Sequence, residues 1–425
     1  MAITVVQKPG DIQPAQSPIV FSVLESTQAY TSSEFQYTAN LYIWSGSISN
    51  SGSYVYQTRK YPNQAGCGIF DFSKMINSTL TALSAEISSS IKYYKAEFGW
   101  QYATGSTYVS QPGGLTTVSC SVGGTMFKAY DGYATFPEQI NTNLYSQSYW
   151  PVMSDMVSVT QSVTLQDTTV LERNSNSERG ISLWRGLNDS GIYPLKVTGT
   201  ASYTDGTMSS GSQPNTFASG ATTTQTQIQH WDAAPSDDLF DLTTGYTGSF
   251  LNKTLDTYKL DVRQYSGSAI VQTLNFKVYC PQYYTPVRIA YKNRYGQFDF
   301  INFYKRHNNT FNTEQRVYQP QLGTWQSSTL SYNQFQTAQQ RYIVDATEVL
   351  ECNTDWLEEG YNELMKQLLV SDEIYWMYDQ SNPSDVLVKP LTIKTNSLQF
   401  KTGVNNKLIQ YTITFDIGQP YKLLL

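Results

Sequence analysis

Residues 276–306 read FKVYCPQYYTPVRIAYKNRYGQFDFINFYKR, three extended segments with two breaks. Phe276, Val278 and Cys280 alternate with Lys277 and Tyr279, the period-2 pattern of a strand. Pro281 and Pro286 bracket a tight passage, and 287–292 is a second run. Asn293-Arg294-Tyr295-Gly296 is a turn, because Asn tolerates left-handed backbone and Gly reaches positive φ without steric cost. Residues 297–304 form the third run. Two β-rich runs across a four-residue turn make a hairpin. Phe298 and Phe300 fall in one phase, Ile301 and Phe303 in the other. Either a bulge near Ile301 shifts the face, or both faces of this strand are covered. A strand covered on both faces belongs to the middle of a sheet.

The same alternation recurs on both sides of this stretch. Upstream, 255–265 alternates and feeds a run at 269–274, with short strands at 157–165 and 181–184. Residues 34–43, EFQYTANLYI, place Phe35, Tyr37, Ala39, Leu41 and Ile43 on one face, and 54–61 returns after a Gly/Ser/Asn turn. Pro18 precedes a buried run at 19–24, and further strands fall at 91–100 and 115–122. Ser73 is positioned to N-cap a short helix carrying Met75, Ile76, Leu80 and Leu83. Short strands at this spacing, with Gly-rich turns, predict β-sandwiches.

Downstream lies the one clear amphipathic helix, at 355–371. Asp355 stands as N-cap with Glu358 three residues on, and Leu357, Tyr361, Leu364, Met365, Leu368 and Leu369 form its apolar stripe. Strands follow at 373–378, 386–393, 398–401 and 407–417. In the last, Ile409, Tyr411, Ile413, Phe415 and Ile417 oppose Leu408, Gln410, Thr412 and Thr414, a half-buried antiparallel strand. The expected fold is therefore mainly β, with two or more antiparallel β-sandwich domains and a few short helices. Its expected divisions are an irregular arm at 1–16, a sandwich at 17–125, an irregular β-rich middle at 126–254, and a C-terminal sandwich with one helix at 255–425. The Ser/Gly/Thr stretch at 205–225 reads as a surface loop and domain edge.

The composition narrows function. Of 425 residues, 15% are charged and 14% aromatic, with 33 Tyr. Surface polarity must then come from Ser, Thr, Asn, Gln and Tyr, which suits subunit packing or sugar contact. A net charge of −6 argues against a dedicated nucleic-acid binder, which needs clustered Lys and Arg. The N-terminus lacks the pattern of a secretory signal, and no apolar run reaches the roughly 18 residues a spanning helix needs. Cys67, Cys120, Cys280 and Cys352 form no CxxC pair and read as small apolar thiols, without disulfides or zinc. The Asn-x-Ser/Thr matches at Asn77, Asn188, Asn252 and Asn308 read as chance in a Ser/Thr-rich chain.

No catalytic constellation stands out, and no cofactor or metal is expected. His230 and His307, the two histidines, are far apart in sequence, and His307 has no flanking acid of the kind a triad requires. Asp237, Asp238 and Asp241 could bind a cation or act as acid and base, but lack the spacing of a calcium loop and read as a solvated turn. Glu358 and Glu359 are explained by the helix macrodipole. Tyr283-Tyr284 and Tyr375-Trp376-Met377-Tyr378 could form a sugar platform, as could loops bearing Trp150 and Trp231. At strand spacing, such aromatics more often pack in a core or an interface.

Several segments together resemble virion structural proteins of tailed phages infecting Bacteroidota, including the crAss-like group. They are CPQYYTPVRIAYKNRYGQFDFINF, PAQSPIVFSV, EFQYTANLYI, GIFDFSKMI, FKAYDGYATF and TDWLEEGYNELMKQLLVSDEIYW with VKPLTIKTNSLQFKTGVNNKLIQYTITFDI, in the family's order. Ala290-Tyr291 stands where that family commonly has a Trp. The resemblance implies a non-enzymatic tail or head–tail component, a ring or collar assembled from copies of itself in the virion. Its partners would be other virion proteins such as portal, tail tube or fibre, with no specific nucleic acid and no membrane insertion. A receptor- or carbohydrate-binding tip contacting a host surface glycan is the alternative. In this reading 276–306 is the core hairpin of the C-terminal domain, holding the helix at 355–371 against the sheet, and Cys280 is a packing residue. The arm at 1–16 would lie against a neighbouring subunit.

Overall fold

The structure is a computed structural model. It describes residues 3–25, 34–45, 54–80, 91–119, 126–135, 152–164, 180–184, 195–213, 228–232, 255–264, 270–279, 283–321, 323–326, 329–331, 335, 337–379, 387–400 and 408–418. The fold is mainly β, in several antiparallel or mixed sheets with few short helices. Two compact units emerge: Met1–Cys280 with Lys292–Asp299, and Pro281–Tyr291 with Phe300–Leu425. The division thus runs through the hairpin of 276–306 and not at residue 254.

The first unit begins with a sandwich. One sheet has the order Thr4–Gln7, Val20–Leu24, Cys67–Asp71. The other runs Ile12–Pro14, Phe127–Tyr130, Ile91–Thr104, Gln36–Trp44, Tyr54–Lys60, with Thr107–Ser110 and Thr116–Thr117 also paired to Ile91–Thr104. Phe21 of the first sheet packs between elements of the second, its ring 5.4 Å from Phe98 and 5.5 Å from Phe127. The expected face of Phe35, Tyr37, Ala39, Leu41 and Ile43 is buried in this core. Tyr37 also carries a polar tip into it: its hydroxyl donates to Gly66 O at 2.6 Å and accepts from Glu25 N at 2.9 Å. Gly68 is needed opposite, since a Cβ there would fall 2.5 Å from the Tyr37 ring.

Three expectations are corrected in this sandwich. The arm at 1–16 is not irregular: Thr4–Gln7 pairs antiparallel with Val20–Leu24, and Ile12–Pro14 runs parallel to Phe127–Tyr130. Ile3, Ile12 and Ala15 are buried, so the segment lies against its own chain. Ser73 is the first residue of the helix Ser73–Asn77 and not its cap; Phe72 occupies that position without a side-chain bond, while Asp71 Oδ1 accepts from Ser73 N at 3.0 Å. Of 115–122, only Thr116–Thr117 is strand among the described residues.

The same unit contains a five-stranded sheet in the order Thr160–Thr164, Ile270–Tyr279, Leu255–Gln264, Leu195–Tyr203, Met208–Gln213. Its first pair is parallel. Tyr258 and Phe276 stack across it at 4.4 Å. The two runs expected at 269–274 and 276–280 are therefore one continuous strand. The stretch at 205–225 is not loop throughout: Met208–Gln213 is strand, paired to Leu195–Tyr203 around the turn at Gly206. Cross-strand pairing makes this strand, since MSSGSQ has little apolar pattern of its own.

The second unit is built on a seven-stranded sheet in the order Phe298–Phe303, Val287–Lys292, Ile374–Asp379, Leu387–Ile393, Thr412–Ile417, Gln340–Asn353, Asn308–Tyr318. Phe298–Phe303 is an edge strand, so the reading of 276–306 as a single core hairpin is overturned. Its alternation is also unbroken. Asp299, Ile301 and Phe303 are buried while Phe298 is 39% exposed, so an inward carboxyl disguised the pattern. The strand covered on both faces is its neighbour: all six residues of Val287–Lys292 are buried.

The helix spans Tyr361–Val370, shorter than 355–371. Gly360 is its N-cap, and no side chain caps it. Asp355 instead accepts from Trp356 N at 2.8 Å and pairs with Lys305 at 3.0 Å. Leu357–Glu358 is a short strand paired with Leu408–Ile409, which removes Glu358 and Glu359 from the first helical turn. The helix still buries Tyr361, Leu364, Met365 and Leu368. Of the strands expected at 398–401 and 407–417, residues 401 and 407 lie outside the described residues, 398–400 are not strand, and 408–417 holds two strands in different sheets. Thr354 makes the break: it donates its N–H to Tyr411 O at 2.9 Å and accepts from Tyr411 N through Oγ1 at 2.9 Å. The expected apolar face of Ile409, Tyr411, Ile413, Phe415 and Ile417 is nonetheless buried throughout. The unit's longest pairing is the ribbon of Asn308–Tyr318 with Gln340–Asn353. All 11 residues of Asn308–Tyr318 are exposed.

Candidate functional site

A group of buried polar side chains lies in the first unit, around the turn Lys292–Asp299. Asn293 organises it. Its Oδ1 accepts from Tyr295 N at 2.9 Å and Gln297 N at 3.0 Å, which closes the turn. Its Nδ2 donates to Met153 O and to Asp299 Oδ2, both at 3.0 Å. All four bonding positions of the amide are thereby filled. Gly296 follows with φ +73°, and a Cβ there would fall 1.6 Å from Asp131 O. The turn can meet residue 131 only because this position is glycine.

Charges fix the approach. Lys292 Nζ lies 2.7 Å from Asp131 Oδ2, and Gln16 Nε2 donates to Asp131 Oδ1 at 3.2 Å. Arg294 Nε lies 2.7 Å from Asp155 Oδ2, and its Nη2 donates to Tyr295 Oη at 2.8 Å. Tyr295 Oη donates in turn to Asp155 Oδ1 at 3.1 Å. Burial, together with the Asp155 charge, raises the Tyr295 phenol well above its ordinary range, so it stays a donor. Burial likewise pushes Asp299 up to about 7, against the opposing bonds from Asn293 and Ser154 and with help from the Asp155 charge. Ser154 also accepts from Met156 N at 3.0 Å, capping the short 3-10 helix Asp155–Ser158.

A buried carboxyl near neutrality is a common mark of acid–base catalysis. Here its neighbours are a turn amide and a helix cap, and the adjacent carboxylates are engaged by Lys292 and Arg294. The arrangement joins three distant segments of one unit, 131–133, 153–155 and 292–299. It can hold backbone in place and take up a proton.

The residues singled out from sequence do not converge here. His307 is half-buried in the second unit, with no hydrogen-bond partner for Nδ1 among the described residues. His230 and Trp231 lie in the strand Ile228–Asp232, their side chains outside the described residues. Asp237, Asp238, Asp241, Trp150, Cys120 and Cys280 also lie outside them. Cys352 is fully buried and its thiol is pushed up to about 12 by burial, which suits a packing residue. Tyr283 and Tyr284 are 86% and 45% exposed, so neither packs in the chain's core. Trp376 is half-buried under Lys389, whose Nζ lies 5.3 Å from the ring. Among the described residues, no three His, Cys, Asp or Glu side chains gather as a metal site, and no helix is long and apolar enough to cross a membrane.

No strand is expected from sequence over 307–354, where the ribbon stands. Its usable signal is the inner strand, in which Ile343, Val344, Thr347 and Val349 are β-branched strand formers. NNTFNTEQRVY by itself has no apolar face to report. Compared with known proteins, the sequence matches no protein-family model, and no curated protein is significantly similar to it.

Proposed function

We propose that the protein is a non-enzymatic virion structural component of a tailed phage, a ring or collar subunit at the tail or head–tail junction that assembles from copies of itself. The ordered resemblance described above supports this. The structural observation that carries it is the ribbon: a strand of 11 residues, exposed along its whole length, at the edge of a seven-stranded sheet. A monomer gains nothing from such an edge and normally protects it. The buried polar cluster, occupied with holding backbone segments together, fits a scaffold better than an enzyme. Mass spectrometry of purified particles should find the chain at a stoichiometry set by cyclic symmetry, and particle imaging should place it around the tail axis. Absence of the chain from particles rules the reading out.

A further inference from the structure

The geometry points to antiparallel pairing of Asn308–Tyr318 with the same strand of a second copy of this chain, about a two-fold axis at Gln315. This goes beyond the virion reading and does not rest on it.

The strand is the last in its sheet, with Gln340–Asn353 as its one neighbour among the described residues. Among the described residues no other strand pairs along its outer edge, and such an edge is the template for adding a strand. Several usual protections are missing from it: NNTFNTEQRVY contains no Pro and no Lys, and it is long; its two charges, Glu314 and Arg316, are opposite in sign. The register shift at Arg316/Val317 does not blunt the edge either. Arg316 pairs with Ile343 and Val317 with Arg341, so the extra residue, Tyr342, sits on the inner strand.

Charge names the partner. Glu314 lies directly opposite Asp345 across the ribbon, and like charges in that relation destabilise a strand pair. Among the described residues, none forms an ion pair with Glu314, Asp345 or Arg316. Setting Gln315 against its own copy puts Glu314 opposite the partner copy's Arg316, and Arg316 opposite the partner copy's Glu314. Each row across the four strands then reads Asp345, Glu314, Arg316, Ile343, in one direction or the other. The misfit within one copy becomes a matched set in two. A shift of one residue in either direction separates the charges, so they fix the register as well as the partner. A two-fold contact of identical strands is self-complementary and closes at two copies, so it joins subunits in pairs, and contacts between pairs in a ring lie on other surfaces.

Sedimentation of the full-length chain tests this. The expected result is a dimer whose dissociation constant rises about tenfold or more in Glu314→Arg and in Arg316→Glu, each of which places like charges across the axis. The double swap Glu314→Arg/Arg316→Glu should restore the wild-type value, since it exchanges the two charges and keeps the pairing. Both side chains are exposed, and circular dichroism of each variant checks that the fold is kept. Gln315→Cys should cross-link to a second copy under mild oxidation, above the level of the wild type. A monomeric wild type, equal association of single and double variants, or no added cross-link overturns the proposal. If particles lack the chain but the swap restores pairing, the virion reading alone fails; if particles contain it and the swap changes nothing, the pairing alone fails.

Discussion

Gly296 is held by two constraints at once, a positive φ and the carbonyl of Asp131 where a side chain would begin. Gly296→Ala should therefore cost about 3 kcal/mol or more of the first unit's stability, read as a lowered unfolding midpoint. A near-wild-type midpoint would show that the turn does not meet residue 131. Asp299 makes a different prediction. Its folded value, about 7, lies above the ordinary carboxyl value, so the folded state holds a proton that the unfolded state has lost. Stability from this group is complete below pH ~4 and is lost as pH rises to ~7, at up to about 1.4 kcal/mol per pH unit. Asp299→Asn should flatten that decline relative to the wild type; parallel pH profiles would refute it. The sequence showed the turn, because Asn and Gly announce one. It could not show the contact, because Asp131 and Asp155 lie more than a hundred residues away and nothing local marks them.

At the scale of elements, legibility followed the apolar pattern. Residues 34–43 were readable because one face is wholly apolar. Phe298–Phe303 hides its alternation because Asp299 takes an inward place that alternation assigns to a hydrophobe. The helix start is hidden because Asp355 and Glu358 imitate a capping box, while pairing with Leu408–Ile409 draws 357–358 into a strand. Two tests belong here. Tyr37→Phe removes one hydroxyl and its bonds with Gly66 O and Glu25 N, which should cost about 1–3 kcal/mol in thermal or denaturant unfolding. Removing residues 2–16 should lower the unfolding temperature of the protein at any concentration, because those residues contribute strands to both sheets of the sandwich. If the loss instead affects only association between copies, the arm reading is restored.

For the whole molecule, fold class was readable from composition and period, but the division into units was not. Chain continuity suggests a boundary near 254; long-range contacts return residues 292–299 to the first unit across an intervening segment of the second. That interruption has a consequence for synthesis. A ribosome delivers Asp131 and Asp155 long before Lys292 and Arg294, so the first unit emerges with two acids whose cations are still untranslated. Its completion waits for residue 299, by which time the first strand of the next unit has left the tunnel. The order of manufacture is thus not the order of assembly. A chain stopped at residue 280 should unfold at a lower temperature than the first transition of the full protein, and should depend more on chaperones during expression.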